Sequence, residues 1–539
     1  MPPAEETPEP GTAASLVESA PSRPPESASS TPPSRAPSAW QLRVGLLGLL
    51  AYSLLSSYLM RPSAARMARA QHASDTMSAL RTAKIAYSQR QRQAAPPALA
   101  GRNRVLAERA ARAQRALEDQ AISQWRAMAR GTTGTPGDWR RLGLLLLTFG
   151  RPGGKEALLH ATRPAARSAP SARPNAAEAE AVTVPPEQER RLWQAFTGDT
   201  PLSRAQVPAL RATLSRLNLG WFEPLAAAQL YARAGMAAEA AQARAVALAG
   251  TRALVRLSTF QVSLLGLGLL GLGGIVFFWR RLRAFRADLP PAPRLFSSSA
   301  LLTAFVLFLA ASLLIGLPLL PLRGVLMRLS DAMMGRVAVA LGLLLYLPTV
   351  GFALWALRRL AARESPSAAR LSLRAMLAGL GFRSPNFAAE VGIGLLGYCL
   401  CLPLLLGASA LSERLFHNFP TPPHPVVLSL MAMRSPLDMV ALLFQTAVAA
   451  PLVEELTFRG MLYPALRPRW GVVGGAILSG SLFALMHPTL PGGFLPLATL
   501  GACFALACEY RNGSLWPSVV MHGLNNGLLL LNTWATLST

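Results

Sequence analysis

From residue 259 onward the chain is a run of apolar blocks, each near the length that crosses a lipid bilayer. A segment in hydrocarbon has no water to bond its backbone, so it must bond itself, as a helix does, and ~20 helical residues cover the ~30 Å apolar core. Blocks fall at Phe260–Trp279, Ala300–Leu320, Val337–Leu357, Val391–Leu411, Leu437–Phe458, Val472–His487, Phe494–Cys508 and Leu515–Leu531. An earlier block, Val44–Met60, carries Ser53, Ser56 and Ser57 and either crosses or lies along the interface. The expected fold is all-α: a polytopic membrane helix bundle of about 8–9 spans with an inserted α-helical extramembrane domain and a disordered N-terminal tail.

The apolar share of 51%, against 15% charged residues, agrees with this class. The net charge of +26 comes from arginine, since the chain has only Lys84 and Lys155 as lysines. A strongly basic chain raises the question of nucleic acid. The arginines are dispersed, no DNA- or RNA-binding motif is present, and no nucleic-acid partner is expected. The Arg- and Ala-rich, Lys-poor composition points to a GC-rich bacterial source. The four cysteines, Cys399, Cys401, Cys503 and Cys508, lie in or beside apolar runs and form neither a disulfide framework nor a zinc finger.

Residues 1–39 are Pro-, Ser-, Ala- and Glu-rich, a disordered tail and not a signal peptide. Residues 40–61 hold the first candidate span, and residues 62–258 form a hydrophilic α-helical extramembrane domain. Within it, Tyr231, Gly235, Glu239 and Ala240 resemble a tetratricopeptide helix–turn–helix signature, and Arg141 to Ala161, with Gly150, Glu156 and Ala157, reads as a degenerate second copy. Any helical hairpin could carry these residues; as a repeat, the domain would dock a protein partner. Residues 259–374 are accessory transmembrane helices, and residues 375–539 form the last membrane domain.

Arginines crowd four short connections, at 280–294, 358–383, 467–469 and 511, which share one side if every span crosses. The positive-inside rule makes that side cytosolic. The expected location is an integral protein of the bacterial inner membrane, with 62–258 outside; if the first block does not cross, that domain moves to the cytosol.

Against this apolar background stands Pro451-Leu-Val-Glu-Glu-Leu-Thr-Phe-Arg-Gly460. A carboxylate at bilayer depth costs roughly 2.5–3.5 kcal/mol on insertion scales, so two of them call for a reason. Glu455 and Arg459 are four residues apart on one helical face and can pair; Glu454 points about 100° away and is left for another task. His487 ends the next block with Phe483 one turn before it, and His522 opens the last helix with Asn526 one turn after it. A lone histidine on an apolar helix is more often a satisfied core residue. Two of them, an asparagine and a free glutamate on nearby helices are harder to dismiss, because polar groups in a bundle seek one another. With the cytosolic turn near residue 468, Glu454 lies about 14 residues above it and His487 about 19, within roughly 8 Å in depth at ~1.5 Å per residue.

Glu454-Glu455-x-x-x-Arg459, Phe483-x-x-x-His487 and His522-x-x-x-Asn526 together resemble the motifs of the CPBP family, the CAAX proteases and bacteriocin-processing enzymes also called Abi. The resemblance covers about residues 375–532 and leaves the N-terminal block untouched. It implies an intramembrane endopeptidase acting on membrane-associated, CAAX-like or leader peptides. On it, Glu454 and His487 would activate water, His522 and Asn526 would stabilise the oxyanion, and Glu455, Arg459 and Phe483 would support them. No cofactor is certain. A zinc form, with Glu454, His487 and His522 as a His₂Glu set, stays open, since three protein ligands and an open position suit catalytic zinc. The alternative is a non-catalytic membrane scaffold that recruits a partner through its helical domain. The expected partners are the lipid bilayer, a peptide or membrane-protein substrate, and a protein at 62–258.

Overall fold

The computed structural model describes residues 64–94, 104–131, 134–163, 184–198, 201–277, 295–316, 331–384, 386–419 and 435–537, with a few isolated positions between them. The N-terminal tail expected to be disordered and most of the Val44–Met60 block lie outside the described residues, and so does the Arg280–Arg294 connection. Every described element is helical.

The N-terminal block is a bundle of helices: α1 (Ala64–Ala94), α2 (Arg104–Arg130), α3 (Pro136–Thr148), α4 (Gly154–Ala161), α5 (Pro186–Thr197), α6 (Val207–Arg216) and α7 (Phe222–Arg233). It has its own core, built around Trp125, Trp193, Trp221 and Phe222. Trp125 and Trp221 both pack edge-on to Phe222, and the Trp221 indole N–H donates to the Ala247 carbonyl. Both segments marked as repeat-like are helical hairpins. α3 and α4 turn at Gly150, and α7 turns at Gly235 into α8 (Ala237–Phe277). Gln229 donates to Thr148 across the two hairpins.

The 41-residue α8 carries the chain from this core into the apolar bundle without a break. The domain boundary expected at 258 therefore falls inside a helix. A run such as Ala237–Arg256 satisfies helical propensity in water as Phe260–Phe277 does in lipid, so only composition changes there.

The membrane bundle continues with α9 (Ser298–Gly316), α10 (Asp331–Glu364), α11 (Leu373–Gly379) and α12 (Phe387–Phe416). Then come α13 (Pro436–Phe444), α14 (Ala450–Thr457), α15 (Tyr463–Leu485), α16 (Phe494–Tyr510) and α17 (Trp516–Leu537). Among the described residues five helical stretches are long and apolar enough to cross a membrane: Ala237–Val276, Ser298–Ile315, Gly335–Glu364, Phe387–Phe416 and Pro436–Leu485. Phe494–Tyr510 is apolar but shorter. α17 has 22 residues, yet His522, Asn525, Asn526, Asn532 and Thr533 interrupt its apolar character.

Pro436–Leu485 is a hairpin. Gly471 has φ 69° and ψ −175°, a backbone that interrupts the helix and that a side chain would strain. Phe458, 13 residues before Gly471, meets Phe483, 12 residues after it, with ring centroids 5.2 Å apart. Only a chain folded back on itself brings them together. The turn at Gly471, rather than near 468, sets Glu454 17 residues before it and His487 16 after it, at matching depth.

Two π-helical turns, Gln445–Ala449 and Phe458–Leu462, flank α14. Each is followed by a proline four residues downstream of a turn carbonyl: Pro451 after Ala447, and Pro464 after Gly460. Proline removes the N–H that would bond that carbonyl and crowds it, so the helix widens locally.

Among the described residues, the connections that hold Arg383, Arg467 and Arg511 meet at one end of the bundle. Arg467 donates to Glu509 at 2.8 Å, Arg511 to Glu390 at 2.8 Å, and Arg383 to the Asn512 carbonyl at 2.7 Å. Ser297, at the start of α9, donates to Glu364 at the end of α10. All four cysteines are free thiols.

Candidate active site

Glu455 and Arg459 form a fully buried ion pair at 3.0 Å, one helical turn apart on α14 and the π turn that follows. The pair has more partners than sequence spacing could show. Arg459 also donates to the Gly501 carbonyl of α16 at 2.8 Å. Its guanidinium lies 4.8 Å from the centroid of Phe483, 5.1 Å from Phe504 and 5.7 Å from Phe458. A buried cation needs such company, since desolvation otherwise exceeds the Coulomb gain.

The oxygen of Glu455 that takes Arg459 also lies 2.9 Å from His522 Nδ1. A carboxylate ionised beside Arg459 can only accept, so His522 Nδ1 carries the proton and donates. That fixes the ring with Nε2 turned to Glu454, 3.7 Å from its Oε2. The two adjacent glutamates are thus unequal. Glu455 is fully buried with its Oε1 committed to Arg459 and His522, and the Glu454 side chain is 26% exposed; the Oε2 atoms of both make no hydrogen bond among the described residues.

Two phenylalanines hold the imidazole. Phe504 stacks on His522 with centroids 4.9 Å apart and planes 27° from parallel, and Phe483 meets it edge-on at 5.7 Å. Phe483 also touches the His487 ring at 4.6 Å, so it stands between the two histidines. His487 lies just past the end of α15, its Nδ1 2.8 Å from the Phe483 carbonyl. A carbonyl accepts, so that nitrogen carries the proton and Nε2 is left for other contacts.

Asn526 uses one amide N–H on the Thr446 carbonyl at 2.9 Å, and its Oδ1 accepts from Asn525 at 3.2 Å. Thr446 belongs to the first π turn, so a carbonyl of that turn supplies an anchor for α17. Gly523 allows the approach: a Cβ there would sit 2.5 Å from the Ala447 carbonyl oxygen, inside any normal contact. One N–H of Asn526 remains for a ligand.

Glu454, Glu455, Arg459, Phe483, His487, His522 and Asn526 are therefore brought to one region by α14, the two π turns, α15 and α17. Phe504, Thr446 and Gly501 had no signal in the sequence: a phenylalanine in an apolar helix looks the same facing lipid or a histidine, and carbonyl partners leave no mark. No group of three His, Cys, Asp or Glu side chains that could hold a metal occurs among the described residues. Glu454 and His522 approach each other, but His487 does not complete a His₂Glu set, so the zinc arrangement is not formed here.

Residues 436–528 match the family model of Rce1-like type II CAAX prenyl endopeptidases. The chain carries an Rce1-like domain. The match runs from the start of α13 into α17 and contains all seven of the residues above; the preceding 435 residues lie outside it. The Rce1-like domain agrees with the CAAX-protease resemblance of the three motifs and supports intramembrane endopeptidase activity as the general function of this segment. No curated protein and no solved structure matches the chain.

Proposed function

We propose that the protein is an intramembrane endopeptidase in which Glu454 activates water for attack on a peptide carbonyl. The observation that carries this is the facing pair Glu454 Oε2 and His522 Nε2, 3.7 Å apart, with His522 locked from behind by Glu455. Glu454 takes a proton from water as the water oxygen bonds to the carbonyl carbon. The carbonyl π electrons move to oxygen, and Asn526 and His522 stabilise the resulting oxyanion. As the tetrahedral intermediate collapses, the C–N bond breaks and Glu454 returns the proton to the leaving amine. Donors aimed at the oxyanion act strongly in a water-poor site. His487, across Phe483 from His522, orients the water with Glu454. No step runs through a metal, because the residues present do not gather into a metal set.

Substrates are membrane-associated peptides, with CAAX-like tails or leader peptides as the classes to test. The basic end faces the cytosol, and the helical hairpins of residues 62–258 lie outside and dock a protein partner. Incubating wild type and Glu454→Ala with a library of membrane peptides in detergent tests the activity. Cleavage products made by wild type and absent with the variant support it; identical product patterns contradict it. Protease accessibility of residues 62–258 in intact cells against spheroplasts tests the sidedness.

A further inference from the structure

Three contacts orient His522, and the mechanism above uses only one. The Nδ1–Glu455 bond is one distance restraint on a ring that turns about two side-chain torsions, so a coupled turn of the imidazole remains open. What fixes the plane is Phe504. It is fully buried on α16, outside every motif, and lies face to face with His522 at 4.9 Å and 27°. Its other neighbour is the Arg459 guanidinium at 5.1 Å, so one ring serves both members of the network on which Glu455 sits. Phe483 closes the edge at 82°. Stacked and edge-on contacts of this kind have preferred geometries, unlike the contacts of an aliphatic side chain.

We propose that Phe504 is a positioning residue for the hydrolytic reaction: its face sets the roll of the His522 ring so that Nε2 stays aimed at Glu454. This rests on the endopeptidase reading above. Phe504 is fully buried and acts through His522. Removing the stack lets the ring turn while Glu455 still holds Nδ1, which misplaces Nε2. Misplacement of about 1 Å costs on the order of 100-fold in rate.

The test compares wild type, Phe504→Leu, Phe504→Tyr and Glu454→Gln as folded, monodisperse full-length proteins in detergent, on one fluorogenic membrane peptide that wild type cleaves. Phe305→Leu is the volume control; Phe305 is fully buried and packs edge-on against Phe458. Phe504→Leu is expected to lose about 10- to 100-fold in kcat with KM within about twofold, and Phe504→Tyr to recover most of the loss, because only the aromatic face is needed. If Phe504→Leu does not fold, Phe504→Met takes its place with the same expectation. Wild-type kcat in the folded Leu or Met variant, or equal losses in Leu and Tyr, overturns the positioning role while Glu454→Gln remains inactive. An equal loss in Phe305→Leu overturns it too, since the effect would be one of packing. If no peptide is cleaved in a Glu454-dependent way, the endopeptidase reading falls and the positioning role falls with it.

Discussion

His522 Nδ1 lies 2.9 Å from Glu455 Oε1. The same oxygen takes Arg459, so one buried atom joins the helix-stabilising ion pair to the histidine that faces Glu454. Structure and chemistry therefore share a group, and changes to the ion pair should be felt in both.

Glu455→Gln keeps an acceptor for His522 but leaves Arg459 as an uncompensated buried charge. Arg459→Ala does the reverse to Glu455 and also strips the Gly501 carbonyl of its donor. Breaking a buried pair typically costs about 3–5 kcal/mol, and both side chains here are fully buried, so solvent screening does not reduce it. Both variants should show a lower thermal midpoint and lower folded yield in detergent, together with reduced turnover. Arg459→Ala with wild-type yield and midpoint but lost activity would assign the pair a purely catalytic role.

Gly523 is where α17 meets the first π turn, and a Cβ at that position would sit 2.5 Å from the Ala447 oxygen. Gly523→Val should push the helices apart and weaken the Asn526–Thr446 and His522–Glu455 contacts together. Overpacking of this kind costs about 1–3 kcal/mol, so the protein should still fold while losing most of its activity. Thermal unfolding and peptide cleavage on the same preparation check it; full activity would show that this approach does not position the site.

The membrane class, the Glu455–Arg459 pair and the shared depth of Glu454 and His487 were legible in the sequence, because each follows from helical spacing and the cost of charge in lipid. The turn itself is legible to within three residues. Arginines at 467 and 469 point to a turn near 468, and the helix breaks at Gly471. The bond from His522 to Glu455 was invisible, since spacing within a helix says nothing about which neighbour on another helix it meets. The prolines at 451 and 464 are present in the sequence, but their consequence, two π turns that flank the glutamates, the first of which offers the Thr446 carbonyl to α17, emerges only from packing.

In the extramembrane core, burial pushes the Lys84 ammonium down to about 8 from an ordinary 10.5; it lies 6.0 Å from the Trp221 ring centroid. The folded state thus releases a proton that the unfolded chain keeps between those values. Stability rises with pH wherever the unfolded state binds more protons, so this contribution increases from pH about 8 to about 10.5 and is a fixed penalty below pH 8. Lys84→Met should raise the thermal midpoint at pH 7 and flatten the midpoint-against-pH curve over that window. A variant with an unchanged slope would show that another group titrates there.

Chelation bears on the route of water activation. The three candidate ligands do not gather into a metal set, so overnight dialysis against EDTA and o-phenanthroline should leave turnover within about twofold of the untreated enzyme. Loss of activity restored by zinc alone would give Glu454, His487 and His522 the role of ligands.

The central claim is that Glu454 moves the proton. Glu454→Gln keeps the size and polarity of the side chain and removes its ability to accept that proton. Its kcat on a cleaved membrane peptide should fall by about 10²–10⁴, with folded yield and thermal midpoint at wild-type values. Cleavage by folded Glu454→Gln at the wild-type rate would contradict the account.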